Sequence, residues 1–239
     1  MVNTERESPA RKGKQEVILI RHGQSTANAS GVWQGQLDFS LSEEGRLQAA
    51  EAGRALKGTS ISGIYASPLL RAFETAEIVA REAGFPGEVV PMPGLAERHG
   101  GVLEGYTWTE QEATNPQFAE RFLSLPEEER WGFAGAETDE EILVRFEEAL
   151  SDILSSHSSP DGTLVVVSHG GVMRAFLRER FGPTVLPGDK RAPNASFTRI
   201  GYNASIPDAA PELLEVASTS HLMPEEERQA RAQARMRTE

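Results

Sequence analysis

The amino-acid sequence predicts a three-layer α/β/α sandwich on a mostly parallel sheet, with an inserted lid over the C-terminal ends of the strands. Three observations carry that prediction. Strand-like and helix-like segments alternate along the chain. The two best strand candidates, Val17-Ile18-Leu19-Ile20 and Leu164-Val165-Val166-Val167, are uninterrupted apolar runs, as strands covered on both faces are. The stretch 99–137 breaks the βα rhythm and reads as the insertion. At 239 residues the chain is long enough for one well-cored domain of this kind.

Each element has a local cause. Residues 1–14 are polar, mixed in charge and without an apolar h-region, so they read as a loose leader ahead of a domain at 15–222. After the first apolar run, Ser42 is a good N-cap, with Glu43 and Glu44 at the positive end of a helix that ends by Gly58. Gly63-Ile64-Tyr65-Ala66 reads as a short strand. Pro68 then opens a helix that puts Ala72, Ala76, Val79 and Ala83 on one face and stops at Gly84. Glu88-Val89-Val90 is a third strand. Ile142, Phe146, Ala149, Leu150 and Ile153 form the clearest amphipathic helix. A Ser/Gly/Pro loop at 155–162 leads into the second apolar run, and a further helix ends near Gly182-Pro183. Strands at about 196–202 and 212–218 complete the sheet, and the late edge strand could pair with a second copy in a homodimer. Residues 223–239, rich in Glu, Arg and Ala, form a polar tail, a solvated helix or disorder, outside the core.

Composition excludes several chemistries. With no cysteine, disulfide scaffolds, iron–sulfur clusters, thiolate zinc sites and cysteine nucleophiles are removed together. A net charge of −12 argues against non-specific nucleic-acid binding. No apolar run reaches the length that spans a bilayer, so no membrane partner is expected and the location expected is cytoplasmic. Histidines 22, 99, 157, 169 and 221 show no metal-ligand spacing, and neither a metal nor a cofactor is expected.

Open α/β sheets bind ligands beyond the C-terminal ends of their strands, and two polar clusters fall there. Arg21-His22-Gly23-Gln24-Ser25-Thr26-Ala27-Asn28 follows the first apolar run, and Ser168-His169-Gly170-Gly171 follows the second. Two histidines leaving two buried strands at one sheet edge can converge on one pocket. Between them, Ser67-Pro68-Leu69-Leu70-Arg71 opens a helix. A helix N-terminus with an arginine makes an anion site, and a guanidinium can hold a phosphate in bidentate fashion.

These residues, with Thr75, Glu97, Leu41-Ser42-Glu43-Glu44-Gly45 and a closing His221-Leu222, resemble the histidine phosphatase superfamily over about residues 16–222. That family comprises the cofactor-dependent phosphoglycerate mutases and related phosphatases. The resemblance implies that His22 attacks phosphorus and carries a phosphohistidine, with Arg21, Arg71 and His169 around the transferring group and Asn28 as a further donor. It implies Glu97 as general acid and base, ahead of the neighbouring Glu104. Arg98, His99 and Gly170 are expected to bind substrate in the pocket, with Gln34 and Gly35 from a segment similar to phosphatase-branch members. Chemistry agrees with the resemblance: a neutral imidazole is a competent nucleophile near pH 7, and arginines can supply the charge stabilisation that metals supply elsewhere.

A mutase must hold a phosphoglycerate carboxylate, and in the mutase branch an Arg-Arg-Ser segment does so. Here Gly105 to Gly135 contains only Arg121 and Arg130, apart from each other and beside Glu127, Glu128 and Glu129. Water is therefore the expected acceptor, and the expected substrate a small phosphomonoester such as a sugar phosphate. A bisphosphoglycerate-dependent mutase and a catalytically silent phosphate-binding module are the competing readings. The insertion's aromatics read mainly as a mini-core under a lid, with Trp108 or Trp131 as an apolar wall for the leaving group. From Glu97 to Asp152 fifteen acids face four arginines and no lysine, a net of −11, which disfavours polyanionic substrates.

Overall fold

The first apolar run lies in strand β1 (Lys14–Arg21) and the second in β4 (Thr163–Ser168), adjacent and parallel at the centre of a six-stranded sheet. The computed structural model describes residues 14–157, 161–186, 191–203 and 210–236. In chain order the remaining elements are α1 (Thr26–Ser30), α2 (Glu43–Ala55), β2 (Ile61–Ala66), α3 (Leu70–Ala83), β3 (Val89–Pro91), α4 (Trp108–Thr114), α5 (Pro116–Ser124), α6 (Glu127–Phe133), α7 (Asp139–Ser155), α8 (Gly170–Phe181), β5 (Phe197–Asn203), β6 (Glu212–Ser218) and α9 (Glu225–Met236). The sheet order is β3-β2-β4-β1-β5-β6, and only β5 runs against the other strands.

Period-two alternation in the buried strands sorts the helices into two layers. Val17, Leu19, Leu164 and Val166 face α7 and α8 and pack with Ile142, Phe146, Ile153, Val172 and Phe176. Ile18, Ile20, Val165 and Val167 face α2 and α3 and pack with Ala52, Leu56, Ala72, Ala76 and Val79. Both runs are fully buried, which is why neither shows the polar alternation of a half-exposed strand. All five apolar positions expected on the long helix are buried on α7. The helix expected from Pro68 begins at Leu70, because Leu69 remains extended, its N–H taken by the Ser67 hydroxyl.

Two boundaries differ from expectation. Lys14, placed in the leader, is the first residue of β1, where it pairs with Asn203; the rest of the leader lies outside the described residues. The tail does contribute a buried contact: α9 packs on α2, and its Arg228 is only 7% exposed, between Glu44 and Glu51. An arginine stem can cover apolar surface while its head meets acids, so a segment without large apolar residues still docks.

Three short helices, α4, α5 and α6, fill the insertion around a separate cluster of Leu103, Phe122, Ala134 and Ala136, with Trp33, Trp108, Phe118 and Trp131 against it. Among the described residues no helix is long and apolar enough to cross a membrane.

Helix α2 approaches the loop after β1 closely. A Cβ on Gly45 would stand 2.0 Å from the Gln24 carbonyl oxygen, whereas one on Gly132 in α6 would meet nothing within 4 Å. Glycine in a helix costs up to about 1 kcal/mol against alanine. Gly132→Ala is therefore expected to raise stability by about 0.5–1 kcal/mol, and Gly45→Ala to lower it by about 1–3 kcal/mol through overpacking. Denaturant unfolding of the two variants checks the opposite signs; stabilisation by both would contradict the close approach.

Candidate active site

In the parallel ladder Ile20 pairs with Val167, and Val167 with Ala66. The three strands therefore stop level, and the residues just beyond them meet. His22 N–H donates to the Ser168 carbonyl at 2.9 Å, and Ser67 N–H to that of Val167 at 3.0 Å. His22 and His169 lie with ring centroids 5.1 Å apart, both buried. Because β5 is antiparallel to β1, with Phe197 opposite Ile20, the segment leading into β5 reaches the same edge.

The His22 ring is held in one tautomer. Nδ1 lies 2.6 Å from the Gly23 carbonyl oxygen, which can only accept, so Nδ1 carries the proton and Nε2 keeps its lone pair. Burial, then the charges of His169, Arg71 and Arg21, push the His22 imidazolium well below the ordinary histidine range. His169, whose Nε2 is 2.8 Å from Ser67 Oγ, is pushed down likewise by burial and by Arg71 and Arg21. Both rings are neutral near pH 7.

Two arginines border this pair. Arg71, 1% exposed, donates to the carbonyls of Leu37 at 2.9 Å and Gly35 at 2.8 Å. Arg21 donates to the Ala192 carbonyl at 2.7 Å. Burial and the neighbouring charge of Arg191 push Arg21 down to about 10, so it stays charged at neutral pH. Arg21 Nε, Arg71 Nε and His169 Nδ1 are buried without a hydrogen-bond partner. Unpaired buried polar groups are costly, and the two guanidinium N–H donors among them leave the site suited to taking up an oxyanion.

Glu97 holds the N-terminus of α8. Its carboxylate accepts from the amides of Arg98 at 2.9 Å, Gly171 at 3.0 Å and Val172 at 3.0 Å. A Cβ on residue 171 would stand 2.5 Å from Oε1, so glycine there admits the carboxylate. Burial alone would raise this carboxyl; the charge of Arg191 and the Gly171 and Arg98 amides outweigh it, leaving Glu97 below the usual carboxylate range. The glutamate weighed against it, Glu104, instead accepts from the amides of Gln36 and Gly100 and ties those two loops together.

Arg21, His22, Asn28, Trp33, Gln34, Gly35, Arg71, Glu97, Arg98, Trp131 and Arg191 line a cavity of about 300 Å³. Asn28 completes a capping box with Ser25 and accepts from Asn194 through Oδ1, which frees its Nδ2. Gln34 accepts from Ser25 Oγ at 2.7 Å. The turn before β5 is fixed by strain and stacking. Ala195 has φ of 55°, costly for a non-glycine residue, yet its N–H donates to the Arg21 carbonyl at 2.9 Å. His221 stacks on Phe197 at 3.9 Å and donates to the Ala195 carbonyl.

Three expected substrate-binding residues fall elsewhere. His99 is exposed and off the cavity, because the Glu137 carboxylate and the Glu137 amide hold its backbone outward. Trp108 packs on Phe122 in the lid's own core and donates to Glu112. Gly170 is buried beneath Arg21 Nε, and its neighbour Gly171 faces the cavity instead. Trp33 and Arg191 were not foreseen. The antiparallel turn into β5 was the available signal for Arg191, since it returns the chain to the strand ends that carry His22.

The profile of the histidine phosphatase superfamily (branch 1) matches residues 17–209. A metal-independent phosphoserine phosphatase of Arabidopsis thaliana is 38% identical over 165 residues, 68% of each chain. Phosphoglycerate mutase-like protein 4 of the same plant is 36% identical over 182 residues, 73% of this chain and 74% of its own. A solved mycobacterial glucosyl-3-phosphoglycerate phosphatase in complex with VO3 superposes with a TM-score of 0.69 at 27% identity, covering 84% of this chain and 98% of its own. With that profile matching most of its length, this chain belongs to the histidine phosphatase superfamily, branch 1, and is a phosphatase.

Proposed function

We propose that the protein hydrolyses small phosphomonoesters without a metal, through a phosphohistidine on His22. The observation that supports this best is the His22 ring itself: buried, neutral, its Nδ1–H committed to Gly23 and its Nε2 free beside Arg21, Arg71 and His169. In the first step the Nε2 lone pair attacks phosphorus in line, and the ester P–O bond breaks. Arg21, Arg71, His169 and Asn28 Nδ2 meet the equatorial oxygens as charge spreads over them. In the second step water attacks phosphorus, the P–N bond breaks, and Glu97 takes the water's proton.

The leaving alkoxide needs a proton, and Glu97 is ionised in the free enzyme. A phosphomonoester carries one proton below its second ionisation, near about pH 6. That proton passes to Glu97 on binding, because a bound phosphate competes for the arginines that hold the carboxylate. Hydrolysis is the favoured outcome because the lid offers no clamp for a phosphoglycerate. Its Arg130 donates to the Leu123 and Leu125 carbonyls instead.

Two outcomes follow. Turnover of a chromogenic phosphomonoester persists in excess EDTA, and His22→Ala removes it by at least about 10³-fold, as loss of a covalent nucleophile does; EDTA inhibition, or activity in the variant, contradicts the reading. The pH dependence separates the roles of His22 and Glu97. Since His22 loses its proton well below the ordinary range, activity does not fall near pH 6.5 on the acid side. On the alkaline side kcat/KM for an alkyl phosphate falls above about pH 6 as the substrate loses the proton that Glu97 must deliver. For p-nitrophenyl phosphate, whose leaving group needs no proton, that limb is flatter, and Glu97→Gln costs less. Identical alkaline limbs for both substrates would remove Glu97 from the role of acid.

A further inference from the structure

Glu97 sits in irregular chain between β3 and the lid, and Arg145 of α7 holds that stretch. Arg145 Nη1 donates to the carbonyls of Gly94 at 2.9 Å and Ala96 at 2.7 Å, and Nη2 to the carbonyl of Glu97 at 3.0 Å. Nε and Nη2 also donate to the two carboxylate oxygens of Glu137, each at 2.9 Å. All five N–H groups of the guanidinium therefore have an acceptor. The two segments also touch backbone to backbone, since a Cβ on Gly94 would stand 2.5 Å from the Arg145 carbonyl oxygen.

Glu137 extends the same grip beyond Glu97. Its carboxylate accepts from the His99 amide at 2.7 Å, and its own amide donates to the His99 carbonyl at 3.0 Å. Burial alone would raise the Glu137 carboxyl; the Arg145 fork and the His99 amide outweigh it and hold the group below the usual carboxylate range. The pair is thus ionised at neutral pH. Gln36, on an exposed loop, adds a second bond to the Glu97 carbonyl, from Nε2 at 3.0 Å.

What happens at the Glu97 carbonyl bears on the carboxylate of the same residue. In a trans peptide the C=O and the N–H point in opposite directions. With the Glu97 carbonyl bonded to Arg145 and Gln36, the Arg98 N–H is turned away from them, and it donates to Glu97 Oε1 at 2.9 Å. We propose that Arg145 is a positioning residue for the reaction, which sets the Glu97 carboxylate for proton transfer through the plane of the Glu97–Arg98 peptide. This rests on the role proposed above for Glu97 and deepens it. The other groups that act on that carboxylate, Arg191, Arg71, Arg21 and the amides of Gly171 and Val172, come from other segments of the chain.

The test is Arg145→Lys, which keeps the positive charge that also acts on His169 but has three donors and no planar fork. Two readouts are taken that a general loss of stability would not move. The first is dependence on the leaving group, with Glu97→Gln as the reference. Arg145→Lys is expected to lower kcat for glycerol 3-phosphate about tenfold and kcat for p-nitrophenyl phosphate by less than about threefold, with KM little changed for either. The second needs no turnover: the Glu97 carboxyl is titrated by 13C NMR, its signal assigned by its loss in Glu97→Gln. Without the Arg98 N–H the midpoint is expected to rise by about half a pH unit or more. Gln36→Leu removes the other bond to the same carbonyl and is expected to show both effects more weakly. Where Glu97→Gln is selective between the substrates, equal losses in Arg145→Lys would overturn the proposal, and so would a Glu97 titration that does not move. If Arg145→Lys does not fold, Gln36→Leu decides by the same criteria. If Glu97→Gln shows no selectivity, the acid role of Glu97 fails, and the titration alone decides whether Arg145 holds its carboxylate.

Discussion

In the central ladder Ile20, Val167 and Ala66 sit side by side. Through the residues just beyond them, that ladder brings His22, which lines the cavity, against His169 and Ser67. The apolar runs of β1 and β4 contribute by being buried on both faces, since a one-residue slip would exchange the two layers' side chains and move His22 relative to His169. The amide of His22, bonded to the Ser168 carbonyl, extends the ladder one residue into the site. The site is therefore rigid for the same reason that the core is.

That rigidity sustains an unfavourable electrostatic arrangement. Arg21 and Arg71 are brought into a buried space with Arg191 beside them, and Glu97 offsets both, with Asp38 and Glu104 adding to it at Arg71. Three nitrogens of this group, Arg21 Nε, Arg71 Nε and His169 Nδ1, remain buried and unpaired. Such an arrangement costs folding stability and is retained where the missing partner is a ligand. Burial, and after it the same charges, keep the His22 ring neutral, since its protonated form would add a further cation to a crowded group. A chain with a net charge of −12 can thus carry a cationic pocket, because the excess of acids over bases lies between residues 97 and 152, a net of −11, while Arg21 and Arg71 gather at the strand ends.

The part of the site legible in the sequence is the part carried by strand ends. Arg21, His22 and His169 follow apolar runs that can only be central strands, and Arg71 opens the helix after a third strand. The cavity lining holds Glu97, Asn28, Gln34, Gly35 and Arg98 with Arg21, His22 and Arg71, and does not include His169. Loop residues were harder to place because tertiary contacts decide which way they face. Trp33 reaches the cavity through backbone bonds to Gly105 and Tyr106 in the lid. Arg191 does so because the Ala192 carbonyl accepts from Arg21. His99 and Trp108 have the right composition for a pocket wall, but the first is turned outward by Glu137 and the second is absorbed by the lid's core. The tail forms a helix, one of the two states expected of it, but its docking is not legible from hydropathy, which does not register a buried arginine that packs between two acids of another helix.

The central claim is that His22 Nε2 accepts the phosphoryl group, and trapping that adduct tests it most directly. The protein is mixed with a phosphomonoester, quenched within milliseconds in alkali, where phosphohistidine survives, and digested for mass spectrometry. The account predicts one phosphoryl group per chain on the peptide carrying His22, lost on brief acid treatment and absent from His22→Ala. Full turnover with no adduct on His22 at any quench time, or a label on another residue, would contradict it.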